Sequence, residues 1–168
     1  MLPITLNPQM VRIGLAGSGD GLARRAAFLA DCGVDPVSVA LESSDAALHC
    51  LSVLFIAGLD EGEAAELARR ARAGGVLVNV EDIPALCDFH VPAVTRRGAL
   101  MLTVSTGGRA PGLARRLREW LQDCFGPEWD ERIEALGSAR ANGRAEGIGP
   151  GEVSKRTRDM VEKKGWLS

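Results

Sequence analysis

Two turns in this chain combine glycine with hydroxyl side chains where an apolar run gives way to a helical one. Both have the chemistry of an anion site. The later turn is Ser105-Thr106-Gly107-Gly108, which follows an apolar run ending at Val104. Pro111 then opens an arginine-rich helical stretch through Arg118, and its missing N–H removes nothing the helix would use there. The earlier turn, Gly17-Ser18-Gly19-Asp20-Gly21, follows the apolar run Val11–Ala16. Turns of this kind leave backbone N–H groups pointing outward at a helix N-terminus, which favours phosphate or carboxylate. Gly17 permits a sharp turn, and Gly19 lets a pyrophosphate approach the backbone. A small residue usually stands three positions after the second glycine, where helix and strand touch; Leu22 occupies that position, between Gly21 and Ala23. The dinucleotide fingerprint is therefore partial, and a plain tight turn is the alternative. Glu42 ends the second apolar run, where such folds place a ribose-binding acid, with a solvated loop acid as the alternative. Ala57 and Gly58, at the end of the third, complete the set expected around a cofactor.

A third constellation is Asn79-Val80-Glu81-Asp82-Ile83-Pro84, just past an apolar run. Carboxylates at the C-terminal ends of strands gather at sites in open α/β sheets, and one there can act as a general base. The alternative is that Asp82 caps a short helix starting at Pro84. Arg96, Arg97, Arg109, Arg115 and Arg116 lie in or near the later turn. Arginine grips carboxylates and phosphates in a bidentate manner, so a cluster suits a polycarboxylate; a solvated face is the default for any one of them. The cysteines Cys32, Cys50, Cys87 and Cys124 form no CxxC pair and read as reduced core thiols. Cys87 and His90 have the spacing of one helical turn, but two ligands do not make a metal site, and none is assigned.

The elements that must position these residues alternate. Val11–Ala16, Val37–Leu41, Leu51–Ala57 and Val76–Val80 are short apolar strands. Helices are expected from Gly21 to Cys32, stopped by Gly33, and from Glu61 to Arg72, stopped by Gly74-Gly75, with a short one after Ser43-Ser44-Asp45. Strand–helix alternation is the pattern of a doubly wound parallel sheet. The pattern then changes. Phe89–Val94 and Leu100–Ser105 look like a hairpin joined by a longer loop, Thr95-Arg96-Arg97-Gly98-Ala99. Helices follow at Pro111–Phe125, Glu128 to about Arg140, and Ser154 to Lys164 with Ser154 as N-cap; residues 142–151 read as a glycine-rich linker.

With 168 residues, 46% of them hydrophobic, the chain can bury a core. Its net charge of −2 argues against a nucleic-acid partner. No apolar run reaches the roughly 18 residues a membrane span needs, and no signal peptide is visible, so a cytoplasmic location is expected.

The string from Gly75 to Ala93, with Asn79-Val80-Glu81-Asp82-Ile83-Pro84 and Cys87-Asp88-Phe89 inside it, resembles the signature of the precorrin-2 dehydrogenase/sirohydrochlorin ferrochelatase family, the dehydrogenase/ferrochelatase module of siroheme synthase. The likeness continues through Arg97-Gly98-Ala99-Leu100, Ser105-Thr106-Gly107-Gly108 and Leu113-Ala114-Arg115, and includes Leu2-Pro3-Ile4 and Gly17-Ser18-Gly19. It implies NAD-dependent oxidation of precorrin-2 to sirohydrochlorin, with Fe²⁺ insertion in some members. It also implies a homodimer built from a Rossmann-like domain (residues 1–88), a dimerisation region (89–126) and a helical C-terminal domain (127–168). The family's key aspartate aligns with Asp82, and its modifiable hydroxyl position with Thr106. On this reading Gly17, Ser18, Gly19, Asp20, Glu42, Ala57 and Gly58 serve NAD, and Thr106, Gly107, Arg109 and Arg115 hold substrate carboxylates. The helix stripe Leu113, Leu117, Trp120, Leu121 and Cys124 and the hairpin before it form the dimer contact. The departures lie on the cofactor side: Leu22, a shortened stretch between Leu41 and Leu51 that trims the Rossmann core, and Gly58-Leu59-Asp60-Glu61 after the third strand. They keep two alternatives in view, a metallochelatase with a weakened NAD site and a non-catalytic tetrapyrrole-binding protein.

Overall fold

Residues 2–167 are described by a computed structural model, in which the chain divides into two compact units, one running through Val91 and one starting at Pro92. The first unit alternates strand and helix: β1 (Ile13–Gly17), α1 (Gly19–Asp31), β2 (Val37–Val39), α2 (Asp45–His49), β3 (Val53–Ala57), α3 (Glu61–Ala73) and β4 (Leu77–Val80). The strands form one parallel sheet in the order β2-β1-β3-β4. From β1 the chain moves outward to β2, then passes back to the other side of β1. The strand order therefore reverses between β1 and β3, and such a reversal opens a crevice at the strands' C-terminal ends.

Both faces of the sheet are covered, which is why its strands are apolar without alternation. Ile13, Leu15, Val53 and Phe55 face Leu29 of α1; Ala16, Leu54, Ile56 and Val78 face Leu67, Ala68 and Ala71 of α3. Ala64, Leu67, Ala68 and Ala71 make one stripe of α3, and its three alanines let the helix lie close to the strands. Asp60 starts α3 by accepting the Glu63 N–H at 2.9 Å, and Gly75, at φ +77°, follows its end. The shortened β2–β3 connection is a turn followed by the one-turn α2. Arg70 holds it from α3, donating to Asp45 Oδ1 at 2.7 Å, to the Leu41 carbonyl at 2.9 Å and to the Ser43 carbonyl.

In the second unit β5 (Ala93–Arg97) and β6 (Leu100–Val104) form an antiparallel hairpin, with Arg97 opposite Leu100. The expected five-residue loop is instead a two-residue turn at Gly98-Ala99, made possible by φ +53° at Gly98. The first hairpin strand accordingly runs through Arg97 rather than ending at Val94. That strand aims Arg97 at the end of α4 (Pro111–Cys124), where it donates to the carbonyls of Phe125 at 2.8 Å and Gln122 at 3.2 Å. These are acceptors that the last helical turn cannot satisfy.

α5 (Trp129–Ala145) and α6 (Pro150–Lys163) complete the unit. The expected linker over 142–151 is largely helix. Gly143 does not break α5, because it is where the two helices meet: a Cβ there would lie 3.3 Å from Val153 Cγ2. Glycine marks close approach here, not a loop. α6 starts at Pro150, a turn before the expected Ser154 cap, because proline is preorganised for the first helical position. Arg132 lies against the rings of Trp129 and Trp166, at 5.0 and 5.3 Å from their centroids. Of the four cysteines expected as core thiols, the structure leaves Cys50 and Cys124 exposed.

Candidate functional site

Glycines build the crevice between β1 and β3. Gly17 ends β1 at φ +144°, and a Cβ there would run into the Ala57 carbonyl oxygen. Gly58 has φ +71°, and a Cβ there would strike the Ser18 carbonyl oxygen. The loops after β1 and β3 thus cross backbone to backbone. Ser18 ties them, its N–H donating to Ala57 at 3.1 Å and its hydroxyl to the Gly58 carbonyl at 2.7 Å. Gly21, in the first turn of α1, closes the third side: a Cβ would lie 2.8 Å from Gly58 N and 2.6 Å from Glu81 Oε2. The residue that must be small where helix meets strand is therefore Gly21. Leu22, the departure from the glycine pattern, packs instead with the cluster on the α1 face of the sheet.

Gly19, at φ +58°, has open space where its side chain would be. Helix geometry leaves the first N–H groups of α1 without intrahelical acceptors, at the positive end of its dipole. Donors, dipole and absent side chains together fit a pyrophosphate. Asp20 is exposed on the same turn, and Ala57 with Gly58 forms the opposite wall. Glu42 is exposed beyond β2, whose last residue pairs with Ala16, so it lies at the same C-terminal edge of the sheet.

Past β4 the chain folds back on that strand. Asp88 donates its N–H to the Val78 carbonyl and accepts the Val78 N–H on its carboxylate, both at 2.8 Å. Arg72 Nε bonds both Asp88 oxygens at 3.0 Å and a second nitrogen reaches the Leu86 carbonyl at 2.7 Å. The Cys87 thiol accepts the Val80 N–H at 3.3 Å and donates to the Val80 carbonyl at 3.1 Å. Buried Asn79 donates to the Phe89 carbonyl at 2.9 Å. Residues 81–87 become a closed loop with exposed Asp82 near its start. Asp82 has φ +61°, the left-handed region, and among the described residues it is the one non-glycine there. Aspartate tolerates that region better than most residues. The short 3₁₀ turn Pro84–Leu86 begins after Ile83, so Asp82 is not its cap.

Two arginines that sequence reasoning did not place at the site, Arg24 and Arg25, lie close to Glu81 of this loop. Arg24 pairs with Glu81 at 3.4 Å, and the Glu81 side chain is only 19% exposed. Arg25 is half-buried, its guanidinium 5.2 Å from the Phe55 centroid and 5.6 Å from that of Phe28. Burial pushes Arg25 below its ordinary pKa, opposed by the nearby Glu81, Cys87 and Asp82. The one local signal for Glu81 was its place beside Asp82.

In the second unit Gly107 and Gly108 take φ +64° and +78°. The Gly107 N–H donates to Ser105 Oγ at 3.3 Å, and the Ala110 N–H to Thr106 Oγ1 at 3.2 Å. Thr106 therefore shapes the turn. Arg109 and Arg115 are exposed on it and on the start of α4. Arg116 instead lies 3.6 Å from Glu119, and Arg97 serves the far end of α4. The structure thus keeps Thr106, Gly107, Arg109 and Arg115 on one segment, while Arg97 and Arg116 are engaged elsewhere.

The parallel sheet and its glycine crossing define a Rossmann-like module with a dinucleotide-type turn. Residues 37–93 match a family model described as "Putative NAD(P)-binding". The siroheme synthase of Methylococcus capsulatus is 34% identical over 144 residues, 74% of this chain and 30% of that protein. That of Azotobacter vinelandii is 35% identical over 150 residues, 74% of this chain and 32% of the synthase. The solved structure of SirC, precorrin-2 dehydrogenase, matches the fold with a TM-score of 0.76 at 17% identity, covering 100% of this chain and 93% of SirC. The chain is thus similar in sequence to siroheme synthases and in fold to SirC, and it spans about a third of the length of these synthases.

Proposed function

We propose that the protein oxidises precorrin-2 to sirohydrochlorin with NAD as oxidant. The observation that carries this reading is the crossing of the loops after β1 and β3, where Gly17, Gly21 and Gly58 leave no room for side chains. When bound, NAD supplies the hydride acceptor. Gly17, Gly19 and Asp20 line the pyrophosphate side, Ser18 ties that turn to the Ala57-Gly58 wall, and Glu42 takes a ribose hydroxyl. Asp82 accepts the proton released as the hydride leaves, so the macrocycle loses two hydrogens in all. Its left-handed backbone holds the carboxylate out from the loop that Asp88 and Cys87 pin. Thr106, Gly107, Arg109 and Arg115 bind the carboxylates of the tetrapyrrole, with charge-assisted bonds from the arginines. Insertion of Fe²⁺ into the product would release two pyrrole protons, which the same aspartate accepts one after the other and passes to solvent.

The protein works as a homodimer in the cytoplasm on this reading. Leu113, Leu117 and Trp120 are 53%, 38% and 55% exposed along one stripe of α4, an apolar surface that a second copy covers. Among the described residues no helix is long and apolar enough to cross a membrane.

The test is purified protein with precorrin-2 and NAD, followed by the absorbance of sirohydrochlorin and of NADH. Equal amounts of both products are expected. Failure to form either, with folded protein and intact substrate, overturns the proposal.

A further inference from the structure

We infer that Glu81 is an intramolecular latch across the crevice between β1 and β3, competing with a bound pyrophosphate for Arg24 and the N-terminus of α1. For the ligand it displaces, the inference rests on the dinucleotide reading above.

Glu81 is the first residue after β4, and its N–H is fixed by donating to the Ile56 carbonyl at 2.9 Å. Its side chain does not stay above its own strand. Oε2 lies 2.6 Å from the position a Gly21 Cβ would take, and Gly58 N lies 2.8 Å from the same point. The carboxylate has therefore crossed over the end of β3 to reach α1. That is the place where the strand order reverses and where this architecture receives its ligands. Gly21 is small for two reasons at once, the backbone of Gly58 and the carboxylate of Glu81.

The partners of this carboxylate are those a phosphate would take. Arg24 pairs with it at 3.4 Å, and the carboxylate lies beside Gly21 in the first turn of α1, near the positive end of that helix. Exposure is uneven: the Glu81 side chain is 19% exposed and that of Arg24 65%. The acid is sheltered and the arginine is able to swing. Arg25 is held over the Phe55 ring and adds a second nearby cation that does not move with Arg24. Arg24 pairs with this carboxylate, Arg25 lies near enough to feel its charge, and the carboxylate itself sits at the first turn of α1. A pyrophosphate brings like charge against Glu81, so binding must separate Glu81 from Arg24 and hand the guanidinium to the phosphates. The latch lowers affinity for any anion at the turn and keeps the crevice ordered between turnovers.

Glu81→Gln keeps the shape and removes the charge. Titrations of parent and variant with NAD and, separately, with inorganic pyrophosphate read the competition directly. The variant should bind both about two- to fivefold more tightly, the size of a partly exposed ion pair. Glu81→Asp, which withdraws the charge by one methylene, should fall between the two, and thermal melts verify that each variant is folded. Pyrophosphate bound no more tightly by Glu81→Gln than by the parent overturns the latch, whatever NAD does. Tighter pyrophosphate binding with no NAD binding by either protein keeps the latch and overturns the dinucleotide reading instead.

Discussion

Asp82 allows the chemical and conformational demands on one residue to be separated by two substitutions. Its φ of +61° places it in the left-handed region. Asparagine visits that region about as readily as aspartate, whereas other side chains pay roughly 1–2 kcal/mol there. Asp82→Asn should therefore leave thermal stability nearly unchanged while removing the proton acceptor. Asp82→Ala should lose both. In a chain of 168 residues, about 1 kcal/mol corresponds to about 2–4 °C in Tm, so the alanine variant should melt about 2–8 °C below the asparagine variant. A positioned general base contributes about 10²–10⁴-fold to rate, and both variants should lose that factor in precorrin-2 oxidation with NAD affinity preserved. Initial rates of sirohydrochlorin formation, NAD titrations and melting curves on the three proteins supply the comparison. An asparagine variant within a few-fold of the parent rate would remove Asp82 from the proton transfer. An alanine variant as stable as asparagine would refute the argument from backbone strain.

Gly17→Ala drives a methyl group into the Ala57 carbonyl oxygen at a φ that alanine avoids. Overpacking alone costs about 1–3 kcal/mol, so its urea midpoint should drop clearly and NAD binding should vanish; an unchanged midpoint contradicts the crossing of the two loops. Leu117→Glu places a charge on the exposed stripe of α4, and light scattering at micromolar concentration should find this variant monomeric where the parent is a dimer. A monomeric parent rules out that interface. The carboxyl of Asp45 is held below its usual range, first by the hydrogen bond from Arg70 and then by that residue's charge. A depressed folded-state pKa means stabilisation that is complete above the ordinary carboxylate pKa and fades as pH falls through the depressed value. The stability gap between parent and Asp45→Asn should close on acidification through that window, and a gap that widens would reverse the assignment.

Much of the first unit is legible in the sequence because its elements obey local rules. β1, β3 and β4 are buried on both faces and so appear as nearly unbroken apolar runs. Gly33 and Gly74-Gly75 mark helix ends because left-handed or relaxed backbone is needed there. Gly17 and Gly19 announce the crevice for the same reason, and Asp82 stands out by its place just past a strand. Residues whose meaning depends on a distant partner are not legible in this way. Gly21, rather than residue 22, is the close-packed position because Gly58 and Glu81 arrive there from other strands. Gly143 looks like a linker residue until Val153 of α6 is laid against it. Arg97 looks like a substrate arginine until the tight turn at Gly98 extends its strand towards the carbonyls ending α4. Side-chain type and spacing determine period, turn and helix end, which are properties of neighbours along the chain. Which glycine must lack a side chain, which arginine is committed to the fold, and which acid crosses the crevice are set by contacts between segments far apart in sequence, and only the packed structure decides them.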